Sequence, residues 1–275
     1  MIKDIVVNLN VSAKESPAGN YAIAVAAAFD AHLTGIAFLY DPIVPLSGAG
    51  HVPAEVIVTQ HDYQDAVKTV RERFAAASAD AGITAKQLTL SASAVGAGDQ
   101  FGKIARRFDL AVVGQAEPET NASEGIIVEA ALFDSGRPVI IVPYIQKAPL
   151  KLDRVMVCWD GSRAVARAIG DAMPLLQRAG SVEVVIVTNE RGKQDQIEGA
   201  DIGAHLARHG LNMEVKRIPL GDIDVANVLL SHAADVETDF IVMGGYGHSR
   251  LREFVLGGVT RSILRSMTAP VLMSH

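Results

Sequence analysis

Short apolar runs alternate along this chain with longer stretches in which apolar residues recur every three or four positions. A short run bounded by turn residues reads as a buried strand, and the longer spacing reads as one face of a helix. Strands are therefore predicted near residues 4–9, 33–39, 86–92, 109–113 and 138–142, and again near 154–159, 182–188, 212–218, 239–243 and 270–274. Helices are predicted near 16–30, 61–81, 98–107 and 123–134, and then near 162–179, 194–209, 223–235 and 257–267. Strands alternating with helices predict parallel sheets with helices on both faces.

The pattern also repeats. Ile5–Ser12 matches Val155–Ser162, Leu110–Gly114 matches Phe240–Gly244, and Arg137–Val142 matches Ala269–Ser274, in the same order. Self-similarity of this kind predicts two copies of one domain. The expected architecture is α/β, with two tandem doubly wound five-stranded parallel-sheet domains over residues 1–146 and 151–275. The hinge is expected near Tyr144–Lys151, which carries Pro149. One stretch breaks the symmetry. Residues 41–60, with three prolines and two glycines, predict an irregular excursion. It reads as a surface insertion, a lid over a site or an arm for a partner.

Composition narrows the function classes. Hydrophobic content of 49% against 20% charged residues predicts a packed domain rather than a disordered chain. A net charge of −6 without a Lys/Arg run argues against nucleic acid. No apolar run reaches the roughly 18–20 residues of a membrane span. The first residues enter a strand at once, unlike a signal peptide, so a cytoplasmic location is expected. The single cysteine, Cys158, excludes an internal disulfide and reads as a buried strand residue.

Candidate chemistry concentrates in residues 240–275. An apolar run ends at Met243, and Gly244, Gly245 and Gly247 follow. After a stretch that carries Arg250 and Arg252 come Gly257 and Gly258, at the start of the last predicted helix. Glycines let backbone N–H groups approach a ligand, and a helix N-terminus adds unpaired donors and partial positive charge. This arrangement suits an anion such as a polyphosphate.

The spacing G-x-x-G (Gly244, Gly247), nine residues, then Gly257, with the helix-Pro-strand ending VTRSILRSMTAPVLM, resembles the nucleotide-binding branch of the universal stress protein family. The resemblance implies a stress-response or signalling role with ATP, or ADP or AMP, as ligand, and Mg²⁺ beside a triphosphate. Gly244, Gly247, Gly257 and Gly258 would cradle phosphates, with His248 alongside and Val259 and Thr260 in the first helical turn. Asp160 matches the family aspartate that meets the adenine or ribose side, and Val187 and Met243 match apolar contacts to the base. As plain chemistry, Asp160 also suits a turn or helix cap, Val187 and Met243 suit a core, and His248 suits a loop without a role. Trp159 reads as core or as a stacking surface, with core preferred.

Two departures stand out. The family pattern has Ser or Thr where this chain has Gly258, so a hydroxyl contact to phosphate is missing. The first repeat lacks the glycine motif. There Gly114 is followed by Glu117, Glu119 and Glu124, which would repel phosphate, and Asn10 stands in the place of Asp160. That half is expected to be degenerate and free of nucleotide. The resemblance further implies that the two domains pair with each other, with a homodimer also possible.

Enzymatic signals are few. No G-x-x-x-x-G-K-[ST] loop and no G-x-S-x-G elbow occur. His205 and His209 have metal-ligand spacing, but only Asp201 stands near as a third group, so no metal site is expected. No general base is evident, and any ATP hydrolysis is expected to be slow. The rival readings are an interaction protein that binds no nucleotide and an ATP-using enzyme.

Overall fold

The structure, a computed structural model, describes residues 1–11, 16–40, 54–117, 122–188, 201–245 and 258–275. The chain divides into two compact units, Ile2–Ser135 and Gly136–His275.

The first unit runs β1 (Asp4–Asn8), α1 (Pro17–Phe29), β2 (His32–Tyr40), α2 (Ala54–Asp80), β3 (Ala85–Ala92), α3 (Ala94–Ala105), β4 (Leu110–Gly114) and α4 (Ala122–Asp134). Its strands lie in the order β3-β2-β1-β4, all parallel. Ile5, Val6 and Val7 of β1 are fully buried, as expected for a strand covered on both faces.

The second unit runs β5 (Val139–Val142), β6 (Arg154–Cys158), α5 (Arg163–Leu176), β7 (Ser181–Thr188), α6 (Ile202–Arg208), β8 (Met213–Pro219), α7 (Val225–Asp235), β9 (Phe240–Gly244), α8 (Val259–Ser266) and β10 (Val271–Ser274). The strand order is β5-β10-β9-β6-β7-β8. All neighbours are parallel except β5 and β10, which run antiparallel with Val271 opposite Ile141. The strand that closes the first repeat is thus built into the sheet of the second unit.

All ten predicted strands form, with ends shifted by no more than one residue. The helices differ more. α2 starts at Ala54, seven residues before the predicted start, so the last part of the 41–60 stretch is helical. The prolines and glycines of that stretch all precede Ala54. The 41–53 part lies outside the described residues. α3 starts at Ala94, earlier than its glycine-rich sequence suggests. Ser93 caps it, accepting from Gly96 N at 3.1 Å. A Cβ at Gly98 would come within 2.7 Å of Ile126, so these glycines serve close packing on α4, which outweighs their weak helix propensity.

Candidate functional site

In the second unit the chain leaves β6 for β7 on one side, while β9 lies on the other. The carboxyl ends of β6 and β9 are therefore a topological switch point, where open α/β sheets bind ligands. Cys158 pairs with Met243, which brings Trp159 and Asp160 beside Gly244 and Gly245.

Asp160 is exposed and begins a tight turn. Gly161 has φ +74°, a left-handed conformation that glycine adopts without strain. Ser162 N donates to Asp160 Oδ1 at 2.9 Å, and Ser162 Oγ accepts from Val165 N at 3.2 Å to cap α5. The aspartate is thus held by the turn with its carboxylate at the surface.

Gly244 is constrained by packing. A Cβ there would come within 2.6 Å of Val165 N and 2.9 Å of Ala164 Cβ, so the first turn of α5 rests directly on the end of β9. The next residue is tied to β10: Gly245 N donates to Ser274 O at 2.9 Å, and His275 Nδ1 donates to Gly245 O at 3.0 Å. Ser274 Oγ donates to Asp171 Oδ2 of α5 at 2.8 Å. The root of the glycine stretch is fixed on both sides.

Gly258 is the N-cap of α8, with no side-chain hydrogen bond at the cap. Side chains cap the starts of α1, α3, α5, α6 and α7, through Ser16, Ser93, Ser162, Asp201 and Asp224. Val259 is exposed at 36% and Thr260 is buried. Met243 is buried in β9, and Val187 is half-buried in β7, two residues beyond the partner of Cys158. Asp160, Met243 and Gly244 come together at the strand ends. Gly247, His248 and Gly257, with Arg250 and Arg252, lie outside the described residues.

A sequence model of the universal stress protein family matches residues 151–275, the repeat that holds this switch point and the whole glycine motif. Residues 151–275 belong to the universal stress protein family. A universal stress protein of Synechocystis sp. is 26% identical over 171 residues, 60% of this chain; the match spans little more than half of that protein, 57%. A universal stress protein from Archaeoglobus fulgidus has a similar structure, with a TM-score of 0.71 at 18% identity over 97% of this chain and 94% of that one. A protein of unknown function from Pseudomonas aeruginosa gives 0.60 at 13% identity, over 98% and 92%. At such identities the structural likeness speaks for the fold.

Other residues of the chain find plain roles. Burial, and then the charge of Asp160, push the Cys158 thiol up to about 12, which leaves it unreactive at neutral pH. His205 and His209 meet edge to face at 4.9 Å, and Asp201 is engaged as the cap of α6, accepting from Gly203 N at 2.8 Å. Among the described residues no group of three or more His, Cys, Asp or Glu could hold a metal. Trp159, for which core packing is expected, is half-buried and lines a cavity of about 380 Å³ with Ala166, Ile169, Ile202 and His205.

The first repeat carries a different set at the corresponding strand ends. Asn8, at the end of β1, is buried and donates through Nδ2 to Glu124 Oε2 (3.4 Å) and Oε1 (3.5 Å). Glu124 is 3% exposed, and burial pushes its carboxyl up to about 7, against the opposing effect of the Asn8 bond. Tyr40 and Tyr63 stand at 5.9 Å between ring centroids. Burial raises the pKa of both phenols, with a further rise from Glu124; a Ser123 hydrogen bond partly offsets the shift at Tyr40. Sequence reading saw Glu124 only as a charge that repels phosphate. The available signal was Asn8, one polar residue inside an apolar run.

Proposed function

We propose that residues 151–275 bind ATP or a related adenine nucleotide, and that the protein works through this binding in a cytoplasmic stress response. The observation that carries the reading is the bare start of α8. Its cap, Gly258, offers no side-chain acceptor, and it directly follows Gly257, which closes the G-x-x-G, nine-residue, G motif. Backbone donors at such a helix end suit phosphate oxygens.

In this reading Asp160 accepts hydrogen bonds from the nucleoside, and Val187 and Met243 flank the base. Gly244, Gly247, Gly257 and Gly258 give the phosphates close approach, with His248, Val259 and Thr260 alongside. Mg²⁺ accompanies a triphosphate and neutralises part of its charge. Among the described residues no general base is evident near the strand ends, so turnover is slow and the nucleotide acts as a bound signal.

The test is calorimetric titration with ATP and Mg²⁺ of the wild type and of Gly247→Val. The reading expects about one site per chain in the wild type, by analogy with one intact motif per chain, and its loss in the variant. Equal heats from both proteins overturn it.

One observation favours a second reading, an interaction protein without nucleotide. Gly244 is accounted for by its contact with α5, with no ligand needed. In that case partners, including a second copy of the chain, meet the protein elsewhere, and Gly247→Val leaves function unchanged.

A further inference from the structure

The helices that follow β4 and β9 both end five residues before the next strand starts, α4 at Asp134 before Val139 and α8 at Ser266 before Val271. α4 has 13 residues and α8 has 8, so the five extra residues of α4 all lie at its N-terminus. They include Ser123 and Glu124. The first repeat therefore places a carboxyl of its own against the ends of β1 and β4, the strand-end position at which a doubly wound sheet takes ligands.

Groups from β1, β2, α2 and β4 surround this carboxyl. β1 offers the amide of Asn8. β2 and α2 offer the phenols of Tyr40 and Tyr63. β4 offers Gly114, whose absent Cβ would stand 3.7 Å from Glu124 Oε2. On α4 itself Ser123 bonds to Tyr40. α3 packs on α4, but its charges, Asp99 and Lys103, are exposed and pair with each other at 2.7 Å. Among the described residues no cation pairs with Glu124. A carboxylate in this setting loses its hydration and gains only long bonds from one amide, with some help from the helix N-terminus. A neutral carboxyl fits the site far better.

We propose that Glu124 is the first repeat's own occupant of this strand-end position, and that ionising it releases the first turn of α4 from the ends of β1 and β4. The repeat thereby holds a proton-operated latch. This does not depend on nucleotide binding by the second repeat. The relevant range is near neutrality, where burial has moved the carboxyl.

Two measurements on the full chain test it. The first follows the Glu124 side-chain carboxyl carbon by NMR; a midpoint near neutrality is expected. The second compares amide hydrogen exchange in residues 122–127 between the wild type and Glu124→Gln, at matched conditions from about pH 6 to about pH 8.5. Matching cancels the intrinsic pH dependence of exchange. The wild type should lose protection relative to Glu124→Gln by about tenfold or more as pH rises, with the variant staying closed. A midpoint in the ordinary glutamate range overturns the proposal, even if the variant fails to fold. So does a midpoint near neutrality with equal protection in both proteins.

Discussion

The two repeats follow the same order of strands and helices and pair their first and fourth strands in the same parallel way, yet they differ at the start of the helix after the fourth strand. In the first repeat α4 begins early and buries Glu124 against Asn8. In the second, α8 begins at Gly258 with no side-chain cap. A doubly wound sheet creates a strand-end position in either case. The few residues after the fourth strand decide whether the chain fills it or presents bare backbone there.

The sharpest way to break this comparison is pH. Glu124 titrates at about 7 in the folded chain and at 4.5 ordinarily. Between those values the unfolded chain gives up a proton that the folded chain keeps, so stability falls as pH rises through the window and levels off above it. The loss is roughly 3 kcal/mol. Chemical denaturation from acid to neutral pH should show it in the wild type and not in Glu124→Gln.

Next in size is Asp160→Ala, which removes a charged acceptor from the proposed nucleoside contact. Nucleotide affinity should fall about 10- to 100-fold by calorimetry. The matching change in the first repeat, Asn10→Ala, should leave affinity unchanged.

Gly244→Ala and Gly114→Ala form a third pair. The first puts a methyl group 2.6 Å from the backbone of α5, and the second meets nothing nearer than 3.7 Å. Thermal unfolding should show a cost of about 1–3 kcal/mol for the first, the usual range for overpacking. The second should be close to neutral. The smallest effect is expected from Gly258→Ser. A serine cap changes helix stability over glycine by only a few tenths of a kcal/mol. Its hydroxyl should tighten nucleotide binding about tenfold if phosphate sits at this helix end.

Much of this was legible in the chain. The central strands were, because runs such as Ile5–Val7 and Phe240–Met243 are unbroken and buried on both faces, while the edge strands β3 and β8 mix apolar and polar residues and are partly exposed. The α2 start was not, because the prolines before Ala54 made the following residues look irregular as well. The role of Gly98 in α3 depends on Ile126, a neighbour on another helix, and local sequence carries no trace of that contact. At the candidate site the glycine spacing was plain, but the need for glycine at position 244 comes from α5 and is visible only once the helix is in place. The sequence shows Glu124 as an acidic residue but not its setting. Its charge is written in the sequence, while its burial depends on Asn8 and the early start of α4.

The most direct test of the difference between the repeats is to purify the protein without added nucleotide, denature it, and identify and count what is released by chromatography and mass. The account predicts about one adenine nucleotide per chain, as one intact glycine motif implies. About two per chain would contradict the view that the first repeat fills its own strand-end position. None, with no heat on titration with ATP and Mg²⁺, would contradict nucleotide binding by the second.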